Sequence, residues 1–186
     1  MNRSDDNTIR DFGRQWSAWR DNDGYYASPE LFEDMVGSLV DASQLEGKTV
    51  AEIGSGTGRI VDMLLDAGAG EVTAVEPSEA IDVLKTNTAG RADRIHYIHG
   101  TAADLKDDDH FDWIFSIGVI HHIADPGPTL AKCRQCLKPA GRIVLWLYGH
   151  EGNELYLALM RPLRAVTKRL PHRVLVPLSW ILGWLL

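Results

Sequence analysis

The chain has 186 residues, 45% of them hydrophobic, 8% aromatic and 24% charged, a globular profile that excludes a disordered, collagenous or fibrous chain. A formal charge of -7 and a pI of about 5.4 weigh against a nucleic-acid partner, because an acidic surface repels phosphate backbones. Two cysteines make no disulfide framework, and the polar stretch Met1 to Arg10 has no apolar secretory run, so a reducing, cytoplasmic setting is expected.

The chain opens on an aromatic-rich segment, Asp11 to Tyr26, in which Phe12, Trp16 and Trp19 share helical spacing. It reads as a short helix lying on the main domain or as a flap over a ligand pocket. Ser28-Pro29-Glu30 is a helix start: hydroxyl N-cap, proline at the first position, acid in the first turn. That helix is expected to reach about Ala42, with Leu31, Met35, Leu39 and Val40 inward.

From Lys48 short apolar runs alternate with helices. Strands are expected at Thr49 to Ile53, Glu71 to Val75, Arg94 to Ile98, Asp112 to Ile117 and Arg142 to Tyr148. Helices are expected at Thr57 to Ala67 (closed by Gly68), Ser78 to Ala89 (capped by Ser78, stopped by Gly90) and Gly127 to Leu137 (ended by Pro139). Near-continuous apolar strands alternating with helices imply an α/β fold: a Rossmann-like, doubly wound, mostly parallel sheet. Such sheets bind ligands beyond the carboxyl ends of their strands. The expected organisation is an N-terminal helical segment over 1–45, the sheet domain over 46–150 and a helical tail over 151–186.

After the first strand comes Gly54-Ser55-Gly56-Thr57-Gly58. Glycine allows a tight turn and close approach of a ligand to the backbone, and the helix that follows offers N–H groups. A dinucleotide fingerprint, G-x-G-x-x-G, would need a third glycine where Arg59 stands. G-x-G-x-G preceded by Glu52 favours S-adenosylmethionine (SAM) over NAD. Glu76, at the end of the second strand, is placed to accept hydrogen bonds from ribose hydroxyls of either cofactor.

Three stretches together resemble class I SAM-dependent methyltransferases of the small-molecule, type 11 kind. They are Val50 to Gly58, His99 to Leu105, and Phe111 to Ser116 continuing through Val119-Ile120-His121-His122-Ile123 to Leu137 to Arg142. The resemblance implies a transferase that binds SAM and releases S-adenosylhomocysteine. It implies that Gly54, Ser55, Gly56, Thr57 and Gly58 hold the methionine end, and that Glu52 orients its ammonium. Glu76 and the adjoining Pro77 take the ribose, Thr101 and Ala102 meet the adenine edge, and Ser116 and Ile117 lie beneath the sulfonium. Of the paired histidines His121 is the candidate general base. The family usually carries an acid where Thr101 stands and a glycine where Ala140 stands. No Asn/Asp-Pro-Pro-Tyr/Phe run follows the fourth strand, which weakens transfer to a nucleobase amino group.

Cys133-Arg134-Gln135-Cys136 has redox spacing but falls within a helix, and two thiols do not complete a metal site, so a structural role and no metal are expected. The tail differs from the body: residues 150–186 hold five Lys or Arg and two Asp or Glu, against 14 and 24 before them. Glu154 to Leu170 reads as a helix kinked at Pro162, and the apolar run Val174 to Leu186 is too short to span a bilayer. Three readings stay open for it: a substrate cap cut short, peripheral membrane contact through 161–186, or packing on the sheet edge or on a second copy in a homo-oligomer. The expected acceptor is small or lipid-like. The alternatives are a SAM-binding module without turnover and an NAD-dependent oxidoreductase.

Overall fold

The computed structural model describes residues 3–106, 108–149, 152–167, 169–171, 173–177 and 179. Two compact units emerge, one ending at Leu147 and one beginning at Tyr148.

The first unit is built on a five-stranded, wholly parallel sheet: β1 (Thr49–Ile53), β2 (Glu71–Glu76), β3 (Ile95–His99), β4 (Phe111–Ile117) and β5 (Leu137–Trp146). The spatial order is β3-β2-β1-β4-β5. Strand order therefore reverses at β1 and β4, the switch point where such sheets bind ligands. Helices α1 (Arg3–Ala18), α2 (Pro29–Val36), α3 (Arg59–Asp66), α4 (Ile81–Asn87) and α5 (Gly127–Cys136) complete the unit.

The strand residues divide between two cores by parity. Val50, Val72, Ala74, Trp113 and Phe115 join α2, α3 and α4 in one cluster. Ala51, Ile53, Val75 and Ile114 join Cys133 and Cys136 of α5 in the other. Successive side chains of a strand point to opposite faces, so a strand apolar on both parities is buried on both. Neither cysteine forms a disulfide and both are buried, and burial pushes Cys133 up to about 11, as suits two small side chains in a core.

Several expected boundaries move. Helix α1 begins eight residues before Asp11, at Arg3, and ends at Ala18. Ser28 caps α2 by accepting from Leu31 N at 3.2 Å, but α2 stops at Val36 and leaves Leu39 63% exposed rather than inward. Ser78 does not open α4 directly. Its hydroxyl is engaged with Glu76, and the helix begins at Ile81. Gly90 falls inside a 3₁₀ turn, Ala89–Arg94, instead of ending the helix. Pro139 stands in a bulge of β5, where four residues between Leu137 and Arg142 face one between Phe111 and Trp113. Asp109 is the non-glycine residue with positive φ among the described residues, so Ala140 sits in ordinary backbone and its turn needs no glycine.

In the second unit α6 runs Glu154–Thr167 and carries Pro162 inside it. Lys168 and most of the apolar run, including Trp180 and Trp184, lie outside the described residues. No helix among the described residues is long and apolar enough to cross a membrane.

Candidate cofactor and active site

A cavity of about 550 Å³ opens at the carboxyl ends of β1, β2 and β4. Its floor is the glycine loop, its far walls are the loops after β2, β3 and β4, and α1 lies along it with Thr8, Ile9, Phe12 and Trp16.

The glycine loop is held by its own backbone. Gly54, Gly56 and Gly58 have φ of 81°, 53° and 88°, which side chains of L-residues resist. A methyl at Gly54 would lie 2.5 Å from the Val119 side chain, so glycine there also lets the β4 loop close in. The first two N–H groups of the loop both go to Val75 O, at 2.8 Å from Gly54 and 3.0 Å from Ser55. Gly56 N donates to Glu76 Oε2 at 2.8 Å. These three donors therefore shape the loop itself.

Glu76 is 5% exposed and takes three donors: Gly56 N on Oε2, and Ser78 N and Oγ on Oε1. A carboxylate has about four acceptor positions, so one remains for a ribose hydroxyl where the sequence suggested two. Glu52 is 2% exposed, lines the cavity, and its Oε2 has no hydrogen-bond partner in the described structure. Burial is the main cause that lifts its carboxyl to about 8, with nearby Glu76 adding to the rise and Ser55 and Arg59 opposing it. An orphaned buried acid on a cavity wall is complementary to a cationic group in that cavity. The donor set thus fits an aminoacyl nucleoside: an acid for its ammonium and an acid for its sugar.

The other expected site residues divide. Ser55, Thr57, Pro77, Thr101, Ala102 and Ile117 line the cavity. Thr101 spends its hydroxyl capping the 3₁₀ turn Ala102–Asp104, accepting from Ala103 N at 3.3 Å while Asp104 accepts from Thr101 N at 2.8 Å. Gly58 and Ser116 do not line the cavity. Gly58 starts α3 against Leu84, and Ser116, 1% exposed, donates to Ile53 O at 3.2 Å, which ties β4 to β1. His121 is corrected too: the histidine that lines the cavity is His122. The pair sits on a 3₁₀ turn, Ile120–His122, where consecutive residues leave in different directions, and no sequence spacing tells them apart.

Side chains that sequence reasoning left out complete the cavity: Tyr26, Arg59, Val119, Ile123 and Asp125. The Arg59 guanidinium lies 4.1 Å from the centre of the Tyr26 ring and donates to Tyr26 O at 3.1 Å. Its position where a third glycine would stand was legible, but its role as a clasp on the N-terminal segment was not. That segment is fastened over the glycine loop. Asn22 Nδ2 donates to Thr57 O at 2.9 Å and Asn22 Oδ1 accepts from Thr57 Oγ1 at 2.7 Å, while Asn87 Nδ2 reaches Arg20 O at 2.8 Å. Gly13 of α1 rests on Ser78, where a methyl would meet Cβ at 2.9 Å.

Comparison with known proteins agrees with this geometry. A sequence family described as a methyltransferase domain matches residues 51–145. The chain belongs to the class I SAM-dependent methyltransferases. SAM is accordingly the cofactor of this family's core. The chain is 29% identical over 154 residues to a tRNA U34 carboxymethyltransferase of Alteromonas mediterranea, covering 76% of this chain and 46% of that protein. It is 25% identical over 195 residues to a ubiquinone biosynthesis O-methyltransferase of Maricaulis maris, covering 97% and 70%. The chain thus spans under half the length of the first of these relatives. A solved phosphoethanolamine N-methyltransferase 1 of Haemonchus contortus, in complex with phosphoethanolamine and S-adenosylhomocysteine, shares the fold. Its TM-score is 0.59 at 23% identity, over 75% of this chain and 31% of that one. Among the described residues no group of three or more His, Cys, Asp or Glu could hold a metal ion.

Proposed function

We propose that this chain transfers the methyl group of SAM to a small or lipid-like acceptor. The observation that carries the reading is the pair of buried carboxylates at the strand ends: Glu52 with an oxygen that has no partner, and Glu76 with one acceptor position left. Glu52 takes the ammonium of the methionine end above Gly54, Ser55 and Gly56, with Thr57 fixing the loop. Glu76 and Pro77 meet the ribose. Thr101 and Ala102 bound the adenine, with Thr101 contributing backbone and wall more than its occupied hydroxyl. Ile117 lies beneath the sulfonium, while Gly58 and Ser116 hold the cradle from behind.

When bound, SAM supplies an already activated methyl group. The chain's task is then positioning and the exclusion of water. The N-terminal segment serves both, because α1 covers the cavity and the Asn22–Thr57 pair fixes it to the cofactor loop.

The curated relatives include an enzyme named for tRNA and one named for ubiquinone biosynthesis. The formal charge of -7 favours the second kind of acceptor, since RNA binding draws on a basic surface. A peripheral membrane contact through the basic and apolar segment 161–186 fits a lipid-like acceptor, and self-association through the tail is the other reading of it.

Calorimetry with SAM, S-adenosylhomocysteine and NAD tests the cofactor. Binding of the first two and not of NAD is expected, and NAD binding without SAM binding would make the chain an oxidoreductase. Turnover of SAM against a metabolite panel then separates an enzyme from a module that binds the cofactor without using it. Liposome retention of the full chain, lost when 161–186 is deleted, tests the membrane contact.

A further inference from the structure

The methyltransferase reading gives the ligand's ammonium to Glu52 and its sugar to Glu76, and leaves the carboxylate of the methionine end without a partner. That carboxylate meets two acids: Glu52 and Glu76 are both buried, and both line the cavity. An anion brought out of water beside other carboxyl groups is repelled unless a cation stands with it.

Among the described residues that line the cavity, Arg59 is the one Lys or Arg. The remaining basic side chain, His122, is held below its ordinary 6.5 by burial first and then by His121, so its imidazole is uncharged at neutral pH. Arg59 is the first residue of α3, directly after the glycine loop. Its charge acts on Glu52, where it opposes the rise that burial causes.

Tyr26 holds the guanidinium in place. The ring centre lies 4.1 Å from Cζ, and the Tyr26 carbonyl accepts one N–H at 3.1 Å. A ring stacked on the face of a guanidinium leaves its edge uncovered, and all five N–H donors lie along that edge. With one donor on Tyr26 O, a parallel pair is left in the fork that matches a carboxylate. The stack also sets the plane in advance, so little side-chain freedom is lost when an anion arrives. Trp16 closes the same end of the cavity, with its Nε1 3.5 Å from where a Cβ on Gly56 would lie.

We propose that Arg59 binds the α-carboxylate of the cofactor's methionine end through a forked pair of N–H groups. The amino-acid group is then read as a zwitterion, its ammonium by Glu52 and its carboxylate by Arg59. The inference rests on the methyltransferase reading above and deepens it. It makes the site selective for nucleosides that carry a complete amino acid. It also joins that selectivity to the N-terminal segment, because the residue that takes the carboxylate is the one that fastens Tyr26.

The test is calorimetry on the full chain with S-adenosylhomocysteine and with its decarboxylated analogue, which keeps nucleoside and amine and lacks the carboxylate. If the parent binds neither, the methyltransferase reading itself fails, whatever Arg59 does. With binding established, the parent is expected to prefer S-adenosylhomocysteine by about 10- to 100-fold, the span of a charge-assisted hydrogen-bonded pair. Arg59→Gln is expected to lose that preference, weakening S-adenosylhomocysteine by the same factor and leaving the analogue nearly as tight as before. A residue that only fastened Tyr26 would weaken both ligands alike. Arg59→Lys keeps the charge without the fork and is expected to hold part of the preference. Melting temperatures of the unliganded variants establish that each is folded; if Arg59→Gln is not, Arg59→Lys and the parent's own preference decide. The proposal is overturned by a parent that binds both ligands equally, by an Arg59→Gln variant that still prefers the carboxylate, by equal weakening of the two ligands, or by an Arg59→Lys variant as selective as the parent.

Discussion

The two halves of the cavity are made differently. The glycine-loop half is backbone: three left-handed glycines, N–H groups paired to Val75 and Glu76, and two carboxylates whose positions follow from the ends of adjacent parallel strands. The opposite half is side chains from separate elements: Phe12 and Ile9 from α1, and His122 and Ile123 from the turn after β4. A backbone cradle tolerates little change but recognises a constant ligand. A wall of side chains changes residue by residue, and is where one fold accommodates many acceptors.

That contrast can be broken most sharply at Gly54. Gly54→Ala puts a methyl 2.5 Å from Val119 and demands a φ of 81° from alanine. A loss of roughly 3 kcal/mol is expected, about a hundredfold in S-adenosylhomocysteine affinity by calorimetry. Unchanged affinity would mean that the loop is not the cradle. Glu76→Ala comes next. It leaves three donors without their acceptor, and should lower stability by about 2 to 3 kcal/mol in a denaturant melt as well as weakening the nucleoside.

Glu52→Gln sharpens the electrostatic side. The folded carboxyl keeps its proton to about 8 while the unfolded one loses it near 4.5. Between those values the folded chain binds more protons, so wild-type stability falls as pH rises through the window. The variant, having no proton to lose, should show a flatter dependence of melting temperature on pH across the same range. At neutral pH, pairing with a ligand ammonium should expel that proton. Calorimetry in buffers of different ionisation enthalpy should then register release of about one proton on SAM binding, absent in the variant. The smallest effect is expected from Thr101→Ala. Losing the cap of the Ala102–Asp104 turn should cost about 1 kcal/mol, a melting temperature a few degrees lower, with nucleoside affinity nearly kept. A large loss of affinity would instead assign the Thr101 hydroxyl to the adenine.

The parallel sheet was legible because its strands are apolar on both parities, which only a sheet covered on two faces requires. That Glu52, the glycine loop and Glu76 meet at one cavity was legible because their spacing along one β-α-β unit brings them to adjacent strand ends. The limit of α2 was not, because Leu39 continues the helical pattern that the turn after Val36 interrupts. Nor was Ser116, whose place at a strand end suggested a ligand contact while its hydroxyl serves the β1 backbone.

By itself the sequence determined which chain segments form the cradle of glycines and acids at the strand ends, since left-handed turns and strand-end acids are local demands on residue type. Tertiary packing alone decided that α1 lies over that cradle, that Arg59 clasps Tyr26, and that His122 rather than His121 faces the cavity. Those outcomes depend on contacts between residues tens of positions apart, and on which way two neighbouring side chains leave a single tight turn.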